Sequence, residues 1–586
     1  MTHQPLQLAK FPRFSCLVGC SYLCLSPASA IVSSYGGTNI FNGVYINDVI
    51  GANAFYQQGF GGQRVVIANI EAGTVWGEHE SLQGRVTRTL SDPTITGTQL
   101  GQVDWHATFV GHALAGSGMF TYQDGIAPLS QLWSGAIATS WSGAPLEEYV
   151  GSFSITDASF LYPYRTALVT GVNGTRADVI NSSWGFGDPT GTAAETIAID
   201  AMLRSSGAIG VFSAGNSGPL GNTVGGPGSG YNGITVGALT NTELRPTYDT
   251  VADFSSRGWS DAYNPQTNVV VTNARATIDI VAPGDNLTMA FYGGVSGGHV
   301  SGSDPTAGSG EFYIPNMGGT SFSAPIVAGA AALMVDAGKA YGIAEMTHPL
   351  VVKAALMAGA TPTQGWDNGQ HFDGAVIRTS QALDLAAGAG ALNLEKAHSI
   401  YVGNSTLVAG LGYFTDGLNT MGVAGTTGAS NLAARGWDLG AIQNGANIYT
   451  LAGVMAAGSE FSAVLTWYAA RGFDVSLSSV QDTALSNLSL ELWCLDQNLG
   501  QRMVGRSESP WGTNEHLRFT LAETGQYQLR VLWEGQNYQT ASNPDLLTEY
   551  GLAWSVSAIP EPSLATIFSV SLMIFFMKRN RRSGCP

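Results

Sequence analysis

Residues 318–334 read GGTSFSAPIVAGAAALM. The second half of this stretch is small and apolar on every side, as a helix buried all round must be. Ser321 falls at the N-terminus of that predicted helix, where free N–H groups and the helix dipole favour a developing negative charge. A serine hydroxyl is a weak nucleophile and needs a neighbouring base to be catalytic. The stretch alone therefore leaves two interpretations open: a catalytic serine, or a serine that only caps a core helix.

Two further segments supply the partners that a nucleophilic serine requires. Residues 104–116 read DWHATFVGHALAG and place His106 where a helix begins. Histidine titrates near neutral pH, which suits a general base, whereas His112 on the same helix is expected to be structural. Residues 211–218 read VFSAGNSG and place Asn216 just after an apolar strand, where its amide can donate to an oxyanion.

These three segments resemble the motifs of the subtilase family of serine peptidases. Gly-Thr-Ser-x-x-Ala-Pro before a small-residue helix resembles the family's nucleophile motif, and the His106 segment resembles its His-Gly-Thr-x-Val-Ala-Gly segment, with Ala107 in place of the glycine. The likeness covers roughly residues 45–400. It implies a subtilisin-like fold in which Ser321 is the nucleophile, His106 the base and Asn216 the oxyanion donor.

The third member of the triad departs from the family pattern. Where the family has Asp-Thr/Ser-Gly at the end of its first central strand, residues 67–73 read IANIEAG and place Glu71 at the Asp position. Glutamate orients a catalytic histidine in some α/β-hydrolases, and we assign Glu71 that role. The extra methylene requires the backbone or His106 to shift. Two alternatives stay open: Glu71 is only a buried, satisfied carboxylate, or Asp104 takes the role.

The resemblance also implies where a substrate binds. The S1 pocket is expected between two walls, formed by Ser183, Trp184 and Gly185 and by Ser213, Ala214 and Gly215. Neither segment carries a charge, and a charged P1 side chain buried there would be unpaired, so P1 is predicted to be apolar or aromatic. Phe186 is expected to narrow the entrance. No cofactor is expected, and calcium binding is left open.

The pattern along the chain predicts an α/β fold with a doubly wound parallel sheet. Near-continuous apolar strands alternate with helical spacing, as in a parallel sheet covered on both faces. The strands are predicted at 64–70, 179–184, 208–213 and 233–239, with a helix at 193–205. In such sheets the sites lie beyond the carboxyl ends of the strands, which is where Glu71 and Asn216 occur.

A smaller antiparallel β-sandwich is predicted after the peptidase domain, which is assigned to residues 31–400. Period-two alternation, as in Leu488, Leu490, Leu492 and Cys494, indicates strands with one buried face. We assign residues 437–557 to this sandwich, which resembles pre-peptidase C-terminal domains, and the Gly-, Asn- and Thr-rich residues 401–436 to a linker.

Both ends of the chain read as export signals. Residues 1–30 have a basic flank, an apolar run and Ala-Ser-Ala, which predicts a signal peptide. The alternatives are a disordered tail or a lipoprotein box at Cys20. Residues 558–586 carry Pro-Glu-Pro, then an apolar run (564–577) and a basic tail. As a helix the apolar run reaches only about 21 Å, short of the ~30 Å hydrocarbon core of a bilayer. They resemble a PEP-CTERM sorting signal, which implies a transient membrane tether and an exosortase as partner; the alternative is a plain tail anchor.

Charge and cysteine usage restrict the partners. The chain has 25 basic and 42 acidic residues. Six of the basic residues and one acid lie in the two end segments, which leaves 19 and 41, a net charge of −22. Nucleic acid and anionic lipid are poor partners for such a surface. Cys494 is the one cysteine outside the end segments, so no intrachain disulfide is expected.

The sequence thus predicts a serine endopeptidase acting on polypeptides in the cell envelope, the periplasm or the medium. The stretch between Ala30 and the first predicted strand at Arg64 is too short for the N-terminal pro-domain that secreted subtilases often carry. The alternative is a catalytically silent peptide-binding or envelope structural protein on the same fold, supported by Glu71 and Ala107.

Overall fold

A computed structural model describes residues 44–118, 123–142, 152–242, 245–292, 313–379, 381–402, 427–496, 500–540 and 547–557. The predicted signal peptide, the sorting signal at 558–586 and most of the predicted linker lie outside these residues and stay predictions. Below, residues 44–402 are called the N-terminal part and residues 427–557 the C-terminal part.

Helices alternate with short strands through the N-terminal part. The helices are α1 Ile46–Val49, α2 Asn53–Tyr56, α3 Trp105–Ala115, α4 Asp157–Arg165, α5 Ala194–Ser206, α6 Thr320–Tyr341, α7 Pro349–Gly359 and α8 Leu394–Tyr401. The strands of this part are β1 Val66–Glu71, β2 Val86–Leu90, β3 Gln131–Ala136, β4 Ser140–Ser142, β5 Ser152–Ser154, β6 Val179–Ser182, β7 Ile209–Ser213, β8 Ile234–Thr242, β9 Arg245–Val251, β10 Ser260–Asn264, β11 Val269–Arg275, β12 Ile280–Pro283, β13 Leu287–Ala290, β14 Tyr313–Met317, β15 Gln370–Asp373 and β16 Val376–Thr379.

The central sheet has the order β12-β8-β7-β6-β1-β3-β2 with parallel pairing throughout, and β9 adds an antiparallel edge to β8. The side chains of β1 alternate between two hydrophobic cores. Ile67 packs in the core that contains α3 and α6, whereas Ala68 and Ile70 pack in the core that contains α4 and α5. Helices therefore cover both faces, which confirms the predicted doubly wound parallel sheet.

Helix α6 runs through the middle of the larger core. It is the one helix of the described residues that is long and apolar enough to cross a membrane, but 94% of its most apolar window is buried inside the protein. The helix begins at Thr320, so its N-terminal turn carries Ser321 to the edge of the sheet. Burial on all sides explains why its sequence shows no polar face.

Two β-sheets contain the strands of the C-terminal part. These strands are β17 Thr427–Leu432, β18 Arg435–Ile442, β19 Ala446–Leu451, β20 Glu460–Trp467, β21 Ala470–Gly472, β22 Gln481–Asp496, β23 Gly500–Glu508, β24 Asn514–Thr520, β25 Gln526–Gln539 and β26 Thr548–Ser557. The larger sheet has the order β15-β16-β23-β22-β25-β19-β17, with β21 on β22, and the smaller one β18-β26-β20-β24. Leu488, Leu490, Leu492 and Cys494 face the core between these sheets, in agreement with their alternation.

The sheets differ from the prediction in two details. Strand β17 lies inside the stretch predicted as linker, where it pairs with β19. That pairing and the pairing of β16 with β23 are parallel, so the larger sheet is mixed and takes two strands, β15 and β16, from the N-terminal part.

The smaller sheet is buried on both faces. Ala463 and Leu465 of β20 face the larger sheet, while Val464 belongs to the core that contains α6 and α7. The same core includes Trp437 of β18 and Ala553 of β26. The N-terminal and C-terminal parts thus share a hydrophobic core, and the predicted division of the chain into domains remains a prediction.

Candidate active site

The predicted catalytic residues meet at the carboxyl edge of the central sheet. Glu71 is the last residue of β1, Ser183 follows β6, and Asn216 comes three residues after β7. Because these strands are parallel neighbours, their carboxyl ends open on one crevice. Ser321, the second residue of α6, reaches the same crevice from the helix side.

Glu71 connects the sheet to the helix that carries His106. Its Oε2 atom lies 3.2 Å from His106 Nδ1, and its Oε1 atom accepts a hydrogen bond of 2.7 Å from the backbone N–H of Ser183. The Glu71 side chain is 1% exposed and that of His106 is 24% exposed. The carboxylate and the imidazole are thus within ion-pair distance of each other.

The buried carboxyl of Glu71 and the partly exposed imidazole of His106 shift each other's protonation. Burial raises the pKa of Glu71, and contact with His106 opposes this only in part. Burial alone would lower the pKa of His106, but the hydrogen-bonding contact and charge of Glu71, with the charge of Asp104, raise it above its ordinary value. The carboxylate therefore favours the imidazolium form, which a general base must reach during catalysis.

The hydroxyl of Ser321 donates a hydrogen bond of 2.9 Å to the carbonyl oxygen of Ser183. Within the described residues it makes no hydrogen bond to His106, so transfer of its proton requires a rotation of the Ser321 side chain. Catalytic hydrogen bonds are often unformed before substrate binds. Ser183 thus connects Glu71 with Ser321, since its backbone N–H donates to Glu71 and its carbonyl oxygen accepts from Ser321.

Asn216 is oriented by Thr320, the residue before Ser321. Its Oδ1 atom accepts hydrogen bonds of 2.9 Å from both the backbone N–H and the hydroxyl of Thr320. Thr320 Oγ1 in turn accepts the backbone N–H of Gly215 at 3.1 Å. With Oδ1 fixed, the amide N–H groups of Asn216 stay available as donors beside Ser321, as an oxyanion site requires.

The structure adds positioning residues that sequence analysis missed. The buried amides of Asn69 and Asn181 form a hydrogen bond of 3.2 Å between β1 and β6. Asn181 also bonds Ser183 Oγ at 3.0 Å, and Asn69 donates to the carbonyl of Ala107 at the start of α3. The sequence did contain a signal for Asn69, because an asparagine in the apolar run of β1 is unusual. Its partner, Asn181 on β6, could not be predicted from the spacing of residues.

Asp104, the alternative third member, has a different task. It is the N-cap of α3 and accepts the backbone N–H groups of His106 and Ala107, each at 3.2 Å. Its carboxylate is thereby committed to the helix end, which satisfies donors that would otherwise lack partners.

Comparison with known proteins identifies the family of this chain. Residues 62–397, more than half of the chain, match the subtilase family, peptidase S8. The chain belongs to the subtilase family. It is 31% identical to pyrolysin of Pyrococcus furiosus over 240 residues, an alignment that covers 38% of this chain and 15% of pyrolysin. It is 27% identical to a subtilisin of Bacillus sp. (strain TA39) over 287 residues, an alignment that covers 48% of this chain and 58% of that subtilisin. The chain thus spans less than two thirds of the length of these relatives.

A solved structure of the protease domain of PatA is also similar. It aligns with a TM-score of 0.40 and 21% sequence identity over 58% of this chain and 96% of that chain.

The two segments assigned to the S1 pocket lie at the carboxyl ends of strands β6 and β7 of this subtilase, and their assignment stays a prediction. Trp184 is buried, donates from Nε1 to the carbonyl of Ile70 and stacks on Phe186 with ring centroids 6.0 Å apart. Opposite, Gly215 has a φ of 102°, which lets the chain turn sharply after β7. Asp188, the first acid after the segment 183–185, accepts the N–H groups of Thr192 and Ala193 at the start of α5.

No group of three or more His, Cys, Asp or Glu side chains suited to a metal ion occurs among the described residues of this subtilase.

Proposed function

We propose that this subtilase is an exported serine endopeptidase that cleaves polypeptides through an acyl-enzyme on Ser321. The observation that carries the proposal is the joint placement of Glu71, His106, Ser321 and Asn216 at one edge of the sheet, with a buried carboxylate 3.2 Å from the histidine. Membership of a peptidase family gives independent support.

In the proposed mechanism His106 takes the hydroxyl proton as Ser321 Oγ attacks the scissile carbonyl carbon. Glu71 stabilises the resulting imidazolium, and the tetrahedral oxyanion accepts hydrogen bonds from the Asn216 amide and from the Ser321 N–H at the start of α6. His106 then returns the proton to the leaving amine as the C–N bond breaks. Water, deprotonated by His106, hydrolyses the acyl-enzyme.

Labelling with a fluorophosphonate probe tests this proposal against the alternative of a silent peptide-binding protein. We expect the wild-type protein to be labelled on Ser321 and to cleave casein, and Ser321→Ala to do neither. Ser321→Ala removes one hydrogen bond, to Ser183, so its free energy of unfolding should fall by only about 1 kcal/mol. A folded wild-type protein that takes no label would favour the silent protein.

The proposed P1 preference is apolar or aromatic. Neither wall segment contains a charged side chain, and Asp188, the acid that follows the first segment in sequence, is bound to the start of α5. Burial of a P1 lysine or arginine would leave its charge unpaired. Gly225 and Gly226 contact Phe186, which supports its role in limiting the width of the pocket.

The proposed location is the cell envelope. Export is expected from residues 1–30, and residues 558–586 are proposed to hold the chain in the inner membrane until an exosortase removes them. The subtilisins among the relatives support export, while the role of residues 558–586 rests on their sequence pattern alone.

A further inference from the structure

A buried ion pair joins the C-terminal part to the N-terminal part. Arg471 of β21, whose side chain is fully buried, donates to Asp200 of α5 at 2.9 Å and to Asp482 of β22 at 3.2 Å. The two carboxylates raise the pKa of the guanidinium although burial alone would lower it. A charge taken out of water needs such partners, so this contact is specific rather than an accident of packing.

The same carboxylate of Asp200 holds the loop 225–232. It accepts the backbone N–H groups of Tyr231 at 2.8 Å and Asn232 at 3.1 Å. The Asn232 side chain donates to the carbonyl of Ala469 at 3.0 Å and accepts the N–H of Ala469 at 2.9 Å. Thr513 of the C-terminal part donates to the Tyr231 carbonyl at 3.1 Å.

The ring of Tyr231 is held as firmly as its backbone. The guanidinium carbon of Arg471 lies 4.8 Å from the ring centroid, and that of Arg275 lies 4.1 Å from it. Tyr231 also packs in a small hydrophobic cluster with Ala469 and Tyr538 of the C-terminal part. Arg275 in addition donates to the carbonyls of Ser229 and Thr190.

The other end of this loop borders the proposed S1 pocket. Gly226 accepts the N–H of Phe186 at 2.8 Å. Gly228 lies so close to Ser213 that an added Cβ would sit 2.8 Å from the Ser213 carbonyl oxygen. The loop therefore connects the two walls on which substrate recognition is proposed to depend.

We infer that the C-terminal part sets the shape of the S1 pocket through this loop, with Arg471 and Thr513 as positioning residues. The inference rests on the proposed function. A loop that is anchored at residues 229–232 keeps Gly226 and Gly228 against Phe186 and Ser213. When the anchor weakens, the wall relaxes and large P1 side chains lose their fit more than small ones do.

Arg471→Lys is the first test, because it keeps the charge but loses the two-armed geometry. The matched control is Arg518→Lys. Arg518 is an equally buried arginine of the C-terminal part that also contacts the N-terminal part, but it donates to the carbonyls of Ala358 and Ala360 rather than to the loop. The measured quantity is the ratio of kcat/KM for a Phe-P1 peptide to that for an Ala-P1 peptide.

We expect Arg471→Lys to lower this ratio about threefold or more while Arg518→Lys leaves it unchanged. The rate of labelling by diisopropyl fluorophosphate, which carries no peptide side chain, should be the same in all three proteins. If Arg471→Lys does not fold, Thr513→Val, which removes one hydrogen bond at nearly constant shape, is expected to lower the ratio in the same direction.

An unchanged ratio in whichever of these two variants folds, or an equal fall in the Arg518→Lys control, overturns the inference. Failure of the wild-type protein to react with the fluorophosphate would instead overturn the proposed function, so the two failures are distinguishable.

Discussion

Replacement of Glu71 by Gln tests whether this carboxylate is the third member of the triad. The amide keeps the shape of the side chain but removes the charge 3.2 Å from His106 Nδ1. At that distance Coulomb's law gives about 5 kcal/mol at an effective dielectric constant of about 20, and about 2.6 kcal/mol at about 40. Because His106 is 24% exposed, we take this range as the stabilisation that its imidazolium loses.

The expected fall in kcat is therefore about 10² to 10⁴. In subtilisin, a family relative, loss of the acid lowers kcat by about 3 × 10⁴, a value measured for that enzyme. The measurement is steady-state hydrolysis of a Phe-P1 chromogenic peptide, with the thermal unfolding midpoint recorded to show that the variant folds. A folded Glu71→Gln protein with near-normal kcat would refute the assignment.

The pH profile gives a second readout of the same substitution. His106 acts as a base only when neutral, so kcat/KM rises as the pH increases through the pKa of His106. Burial lowers this pKa, and Glu71 raises it. Without the charge of Glu71 the effect of burial is no longer offset, so the pKa of His106 falls. The acidic limb of the kcat/KM profile then moves to lower pH. A purely structural Glu71 predicts no such movement.

Glu71→Asp separates charge from position. The shorter side chain withdraws the carboxylate by about 1.5 Å, so Ser183 N–H or His106 Nδ1 loses its partner. We expect kcat to fall less than in Glu71→Gln and the acidic limb to stay close to that of the wild-type protein. A larger fall than in Glu71→Gln would contradict this ordering.

Three further predictions concern the oxyanion site, specificity and maturation. Asn216→Ala should lower kcat by about 10² to 10³ with little change in KM, because the amide acts in the transition state; an equal effect on KM in steady-state kinetics would contradict this. A peptide library should show apolar or aromatic residues at P1, and dominant Arg or Lys there would exclude the neutral pocket. Deletion of residues 560–586 should release folded, active protein into the medium or periplasm; mass spectrometry that finds residues 564–586 intact in the membrane fraction would instead indicate a plain anchor.

The sequence predicted the parallel sheet and the site at its edge because these depend on local signals. Strand β7 and helix α6 each have a nearly continuous apolar pattern. Asn216 follows the end of β7, and Ser321 lies at the start of α6. Contacts between distant segments leave no such signal. The Asn69–Asn181 amide pair joins residues 112 positions apart, and neither its partner nor its direction follows from spacing.

The C-terminal sheets show the same limit from another side. The alternation in β22 was readable because polar side chains, such as Ser489 and Glu491, alternate with its leucines, although they too are buried. Strand β20 is buried from Phe461 to Trp467 and has apolar residues at three successive positions, 463–465. The reason is that Val464 packs in the core of α6 and α7 while Leu465 faces the larger sheet. A strand with apolar side chains on two buried faces shows no alternation, so the shared core could not be predicted from it.

The surroundings of Glu71 argue against the alternative that it is only a buried structural carboxylate. Structural carboxylates in proteins are usually satisfied at both oxygens, since a buried acceptor without a donor is costly. Here Oε1 accepts the Ser183 N–H, whereas Oε2 lies 3.2 Å from Nδ1 of His106, a titratable imidazole rather than a fixed donor. A carboxylate in that state is stabilised chiefly when His106 becomes protonated, which is the moment in catalysis when Ser321 gives up its proton. Although the Glu71 side chain is one methylene longer than that of an aspartate, its Oε2 atom lies within ion-pair distance of His106.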